Sequence, residues 1–181
     1  MKLEAYERLL LKWQKAINLI GESTLPEIPL RHFADSAQIA QYIPDKNAMI
    51  ADLGSGAGFP GMVLAILGFS QIHLIESDIR KATFLREVSR ETNTPVTVHD
   101  CRIEDCKIQR FDVVTARALA PLSDLLGHMS RMASTGIFMK GAQAEDEIAA
   151  AKKDWEFEFE IHQSISDPSG KIIKMFHVKH F

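Results

Sequence analysis

The sequence predicts an α/β fold: a mostly parallel sheet with helices on both faces, preceded by N-terminal helices and closed by an antiparallel hairpin. Three observations carry this expectation. Met49, Ile50, Ala51 and Leu53 form an apolar run too short for a helix, and Gly54, Gly56, Gly58 and Gly61 follow at once. Short apolar runs then alternate with longer segments of helical periodicity as far as Lys152. Finally, two strand-like runs, Trp155 to Ile165 and Lys171 to Lys179, are joined by Asp167-Pro168-Ser169-Gly170, a turn signal with no room for a crossover helix.

From the amino terminus, Leu3, Tyr6, Leu10, Trp13, Ile17 and Ile20 recur at three- and four-residue steps, which predicts one amphipathic helix ended by Gly21. Arg8, Lys12 and Lys15 fall elsewhere around it, as a solvated charged face or an RNA-contacting one. Pro26 and Pro29 break the chain. A second helix is expected from near Leu30, carrying Phe33, Ala37, Ile39, Ala40 and Ile43 and closed by Pro44. At its front Arg31, His32, Asp35 and Ser36 form a charged, hydrogen-bonding group that suits either caps and salt bridges or contact with a substrate. Beyond the glycines, strands are expected at 71–75, 96–99, 111–115 and 136–140, with helices near 78–92, 119–132 and 144–152. One domain, 1–181, is expected, with a helical segment 1–45 ahead of an α/β core 46–181.

A glycine-rich turn after a strand lets the backbone adopt positive φ and approach a ligand closely, and its N–H groups converge at the start of the next helix. Pro60 suits the first turn of that helix, whose apolar residues Met62, Val63, Leu64, Ile66 and Leu67 follow. The product is a nucleotide-type pocket at a strand's carboxyl end. A dinucleotide fingerprint can be forced onto Gly56, Gly58 and Gly61, but its first glycine belongs straight after the strand. That position is Gly54, and from it the third small residue falls on Phe59. The spacing Gly54-x-Gly56-x-Gly58 behind Asp52 instead resembles the first motif of Rossmann-like S-adenosylmethionine (SAM) methyltransferases. Glu76 lies 22 residues beyond Gly54, just past Ile72, Leu74 and Ile75, where an acid hydrogen-bonds ribose hydroxyls in NAD and SAM alike, or is merely solvated. The closing hairpin favours SAM, because the seven-stranded methyltransferase fold inserts its last strand antiparallel.

Composition narrows the classes further. With 181 residues, 46% hydrophobic and 25% charged, the chain is ordinary for a globular protein, which disfavours disorder. No apolar run approaches a bilayer span, and MKLEAYERLL has no apolar stretch behind a basic start, so a cytoplasmic protein without a membrane partner is expected. Cys101 and Cys106 lack a second pair, so neither a disulfide framework nor a metal site is expected. A net charge of -3 argues against strong non-specific nucleic-acid binding, DNA included, while leaving room for a local basic face.

Three clusters fall outside the carboxyl ends of the predicted strands, where such a sheet puts its pocket. Arg102-Ile103-Glu104-Asp105 follows the third strand, where this fold commonly holds adenine. Thr115-Ala116-Arg117-Ala118 follows the fourth, and Lys140-Gly141 the fifth. Their basic side chains suit a phosphate or a base, arginine pairing bidentately with guanine O6 and N7, or else neutralise Glu76 or Glu104. The acid-or-amide-Pro-Pro-aromatic loop of amino-directed base methyltransferases and the Pro-Cys of cytosine C5 enzymes do not occur. A target atom with an unprotonated lone pair, such as a ring nitrogen, needs neither a general base nor a covalent nucleophile. Alignment and exclusion of water then suffice.

WQKAINL (13–19), RHFADS (31–36), DLGSGAGFPG (52–61), KATFLREV (81–88), RIED (102–105), TARALA (115–120) and MKGA (139–142) together resemble the bacterial ribosomal RNA small-subunit methyltransferase G family. The resemblance covers nearly the whole chain, and RH-x-x-DS ahead of G-x-G-x-G-x-PG, with a later Arg-Ala pair and a Lys-Gly, is specific. It implies SAM-dependent methylation of N7 of a guanine in the 530 loop of 16S rRNA, by a monomeric cytoplasmic enzyme whose partner is 16S rRNA or the small ribosomal subunit. Carried over by position, the family's SAM contacts fall on Gly54, Phe59, Ile103, Glu104 and Arg117, with Glu76 as ribose partner. Gly56 joins them as part of the glycine turn, and Arg31, His32 and Lys140 are expected to meet the substrate. The family usually has serine before the arginine, where this chain has Ala116. Two alternatives stay open: a non-catalytic RNA-binding or SAM-sensing domain, which would keep the pocket and lose turnover, and an NAD-dependent oxidoreductase.

Overall fold

The computed structural model describes residues 1–108 and 110–181. Its sheet contains β1 (Met49–Leu53), β2 (Gln71–Ile75), β3 (Thr97–His99), β4 (Phe111–Arg117), β5 (Ala133–Lys140), β6 (Trp155–Gln163) and β7 (Lys171–His180). They lie in the order β3-β2-β1-β4-β5-β7-β6. The first five run parallel, and β7 is antiparallel to both β5 and β6. This is the predicted seven-stranded, mostly parallel sheet with an antiparallel C-terminal pair. Strand order reverses between β1 and β4, which opens a crevice outside their carboxyl ends.

Burial explains the strand patterns. β1 is central and covered on both faces: Ile50 joins the core with Leu74 and Phe84, while Ala51 and Leu53 join the other with Val114 and Phe138. β6 is an edge, so half-buried Trp155, Phe157 and Phe159 alternate with exposed Glu156, Glu158 and Glu160. The connecting helices, α3 (Gly61–Ile66), α4 (Ile79–Glu91), α5 (Leu122–Met132) and α6 (Ala144–Ala151), start or stop within a few residues of the sequence expectation. Among the described residues no helix is long and apolar enough to cross a membrane.

The amino-terminal segment departs from the prediction. Helix α1 spans Lys2–Gln14 and ends well before Gly21. The Gln14 side chain ends it: its Oε1 accepts the Leu19 and Ile20 N–H groups at 2.9 and 3.0 Å, and its Nε2 donates to the Ile20 carbonyl at 2.9 Å. That side chain replaces the next helical turn as partner for the backbone. Ile17, Leu19 and Ile20 are therefore buried as a loop, in a spacing that imitates a helix. The predicted second helix is a helical run of changing pitch. A 3-10 turn at Glu22–Glu27 precedes a π-type stretch, Pro29–Ala34, then the short α2 (Asp35–Ala37) and a 3-10 turn, Gln38–Tyr42. Through the wide turn His32, Phe33 and Ser36 all face inward and are buried.

Candidate functional site

The crevice is a cavity of about 920 Å3, lined by all the residues expected to meet cofactor or substrate: Gly54, Gly56, Phe59, Glu76, Ile103, Glu104, Arg117, Arg31, His32 and Lys140. Its floor is the glycine turn. Gly54 takes φ +61, and a Cβ there would collide with the Leu119 side chain. At Gly61 a Cβ would lie 2.7 Å from that of Asp52, so α3 packs directly on β1. Asp52 itself is a strut beneath the cavity. Fully buried, it accepts the Thr115 hydroxyl on Oδ1 at 2.9 Å and the Gly61 N–H on Oδ2 at 3.2 Å, tying β1, β4 and α3 together. Burial pushes its carboxyl up from 3.8 to about 6, against the pull of those hydrogen bonds and of Arg117. The turn is braced from α1, where the buried Tyr6 hydroxyl donates to the Ala57 carbonyl. Sequence periodicity marks Tyr6 as core and gives no sign of that contact.

Glu76 stands at the end of β2 and is nearly buried. Its Oε2 accepts the Gly56 N–H and its Oε1 the Asp78 N–H, both at 2.8 Å. The carboxylate is thereby fixed against the glycine turn, with lone pairs left for two hydroxyls. Asp78 in turn caps α4 through the Arg80 and Lys81 N–H groups, at 2.8 and 3.4 Å. On the same side, Ile103–Asp105 forms one 3-10 turn; Ile103 packs on the core, and Glu104 Oε1 lies 3.7 Å from His128 Nε2.

Arg117, at the end of β4, anchors the opposite side. Its Nη2 donates to His32 Nδ1 at 2.9 Å, and its Nη1 donates to the Arg31 carbonyl at 3.3 Å and to Asp35 Oδ2 at 3.5 Å. The guanidinium sits over the Phe59 ring, 4.7 Å from its centroid, and the His32 ring stacks on the same phenyl at 5.0 Å. The tautomer of His32 follows from its neighbours. Thr24 gives its hydroxyl proton to the Gly21 carbonyl, so in the 2.8 Å contact between Thr24 Oγ1 and His32 Nε2 the imidazole is the donor. Nδ1 is then the acceptor that Arg117 requires. Burial, reinforced by Arg117 and Arg31, pushes His32 down to about 4, so the ring is neutral near pH 7. Burial also lowers Arg117 from its usual value, and Asp35 opposes that effect.

Lys140 and Arg117 neutralise neither Glu76 nor Glu104, the alternative that the sequence left open. Lys140 Nζ donates to the Ala120 carbonyl at 2.7 Å and pairs with Glu147 Oε2 at 2.6 Å; the same oxygen accepts the Leu122 N–H at 2.8 Å. Lys140 is thus a strap across the loop after β4, where Ala118 takes a positive φ of 50°. Arg31 pairs with Asp167 of the β6–β7 turn at 3.1 Å. Thr24, Glu147 and Ser166 also line the cavity and were missed by sequence reasoning, since each matters through a side-chain contact that no periodicity or motif marks.

A doubly wound sheet with this strand order, a glycine turn after β1, an acid after β2 and an inserted antiparallel last strand defines a Rossmann-like, SAM-dependent methyltransferase. Solved structures share the fold. Magnesium protoporphyrin IX methyltransferase from Synechocystis, with bound SAM, superposes with a TM-score of 0.68 at 12% identity, over 96% of this chain and 90% of that one. Ribosomal protein L11 methylase from Lactobacillus delbrueckii gives 0.64 at 15% identity, over 77% and 75%. At the level of sequence, the model of the rRNA small subunit methyltransferase G family matches residues 1–175. Ribosomal RNA small subunit methyltransferase G of Rhodospirillum centenum is 50% identical over 96% of this chain and 82% of its own. That of Cereibacter sphaeroides is 47% identical over 99% and 90%. The chain belongs to the rRNA small subunit methyltransferase G family.

Proposed function

We propose that this chain uses SAM to methylate N7 of a guanine in the 530 loop of 16S rRNA. Family membership supports rRNA as substrate; what favours a ring nitrogen is the state of the acids and imidazoles that line the cavity. Glu76 holds two backbone N–H groups, Asp35 holds Arg117, Asp167 holds Arg31, and Glu147 holds Lys140. Glu104 faces His128, and both nitrogens of His32 are engaged. Glu104 and His128 lie on the adenine side of the cavity; the other groups are committed, and none of them is poised to take a proton from an exocyclic amine. N7 of guanine carries an unprotonated lone pair and needs no such group.

The residues present fit SAM. Gly54 and Gly56 offer a backbone surface at φ +61 and +55, and the fixed Glu76 carboxylate suits the ribose. Ile103 and Glu104 would border the adenine. Arg117 keeps two of its five N–H groups beyond those given to Arg31, Asp35 and His32, a pair suited to a carboxylate. When bound, SAM supplies an electrophilic methyl group whose sulfur leaves with the bonding electrons, so the acceptor lone pair forms the new bond and no proton moves. The protein's own part is to align the two reactants and exclude water. Phe59 acts through the Arg117 guanidinium it supports, Lys140 by setting the loop after β4, and Arg31 and His32 by shaping the wall that meets the base.

We take residues 1–181 as one unit acting as a cytoplasmic monomer on 16S rRNA or the small subunit. In support, the helical segment 1–45 shares its core with the sheet: Tyr6, Leu10, Phe33 and Ile39 pack with Ile50 and Leu74. The test is transfer of labelled methyl from SAM to small-subunit particles from cells lacking the protein, followed by mapping of the label. The expected product is 7-methylguanine in the 530 loop. Label at another atom would overturn the substrate assignment, and SAM binding without transfer would favour a SAM-sensing role.

A further inference from the structure

We infer that Asp35 is the positioning residue for Arg117, and that through it the β6–β7 turn is built into the cofactor side of the site. Asp35 collects donors from three parts of the chain. Its Oδ2 faces Arg117 Nη1, while its Oδ1 accepts Gln38 Nε2 at 2.8 Å, the Ser164 hydroxyl at 3.2 Å and the Ser166 hydroxyl more closely still. Gln38 locks the same turn from its other end, its Oε1 accepting the Ile165 N–H at 2.9 Å. Gln38, Ser164 and Ser166 are all buried. A cluster of buried polar groups this dense is costly unless each member is satisfied, and here each is satisfied by aiming one carboxylate. Arg31 and Asp167 add a second tie between the same two segments.

The consequence falls on Arg117. Its guanidinium carbon sits over the Phe59 ring, 4.7 Å from the centroid, a contact that seats the group on the ring but does not set its rotation. Rotation is fixed at the rim, by Asp35 and the Arg31 carbonyl on Nη1 and by His32 on Nη2. Those contacts decide where the two remaining N–H groups point. Without Asp35 the guanidinium loses its carboxylate partner and is held only by the neutral Arg31 carbonyl and His32 ring, which hold its bidentate alignment less firmly. This inference rests on Arg117 being a cofactor contact.

A double-mutant cycle on the full chain tests it, with SAM affinity read by calorimetry. Asp35→Asn, which keeps the shape and an acceptor for the serines, is expected to weaken SAM about ten-fold. Ser166→Ala should act in the same direction and less strongly. In an Arg117→Met background, Asp35→Asn should add nothing, because there is no guanidinium left to aim. An equal loss in both backgrounds would mean that Asp35 acts on the fold at large, and no loss in either would mean that it positions nothing; both overturn the inference. If Arg117→Met alone leaves SAM affinity and methyl transfer unchanged, the placement of Arg117 fails first and this inference with it. Should Asp35→Asn not fold, the same cycle run with Ser166→Ala decides.

Discussion

Replacing Asp52 with asparagine probes the strut beneath the glycine turn. In the folded chain the carboxyl is lifted from 3.8 to about 6. Across that interval the folded state holds a proton that the unfolded chain has released, so stability falls as pH rises. At about 1.4 kcal/mol per pKa unit, ionising Asp52 in place costs about 3 kcal/mol by neutral pH. Asparagine carries no charge, and the Thr115 hydroxyl can reverse to accept from its amide while the amide oxygen takes the Gly61 N–H. His32 works with the opposite sign. Held near 4 against an ordinary 6.5, it stays neutral where the unfolded chain is protonated, so its contribution is lost as pH falls from 6.5 towards 4. Its ring lies at the cavity wall, and allowing for solvent screening the effect is about 2 kcal/mol. In the native protein the two slopes largely cancel. Urea unfolding of Asp52→Asn between pH 4 and pH 8 should therefore show the variant gaining about 3 kcal/mol on the wild type as pH rises through 6. A difference independent of pH would refute the burial argument.

Two further outcomes follow from the geometry. Gly54→Ala forces a Cβ into a left-handed turn against Leu119 and should cost about 1–3 kcal/mol, with loss of SAM affinity. Thermal unfolding and calorimetry check it, and unchanged SAM affinity in a folded variant would remove the glycine turn from the cofactor site. Lys140→Met leaves the half-buried Glu147 carboxylate without its cation and should cost about 3 kcal/mol. Adding Glu147→Gln should recover more than half of that in chemical unfolding, whereas additive losses would mean that the strap is not a unit.

The sheet was legible because its signals are local. Apolar runs of strand length, the glycines at 54, 56 and 58, and the turn Asp167-Pro168-Ser169-Gly170 each act within a few residues, and together they specify parallel order and a reversed ending. Contacts made by individual side chains, near or far along the chain, were not legible. The Gln14 side chain ends α1 by capturing Leu19 and Ile20, and no periodicity distinguishes a buried loop from a buried helical face when the spacings coincide. Asp35 meets Ser164 and Ser166 across 129 and 131 residues, so the front of the second helical run read only as a polar group of undecided purpose.

The basic residues show the same limit in its chemical form. Strand-end position correctly puts Arg117 and Lys140 on the cavity, yet each charge is already matched, Arg117 by Asp35 and Lys140 by Glu147, as Arg31 is by Asp167. Paired in this way, the three cations contribute little long-range field, and counterion release on RNA binding must be driven from elsewhere on the surface. Mutating them should accordingly alter SAM affinity or methyl transfer more than the salt dependence of RNA binding. A salt-titrated RNA-binding series on Lys140→Met would separate the two roles, and a slope reduced by about one relative to the wild type would show that Lys140 meets a phosphate after all.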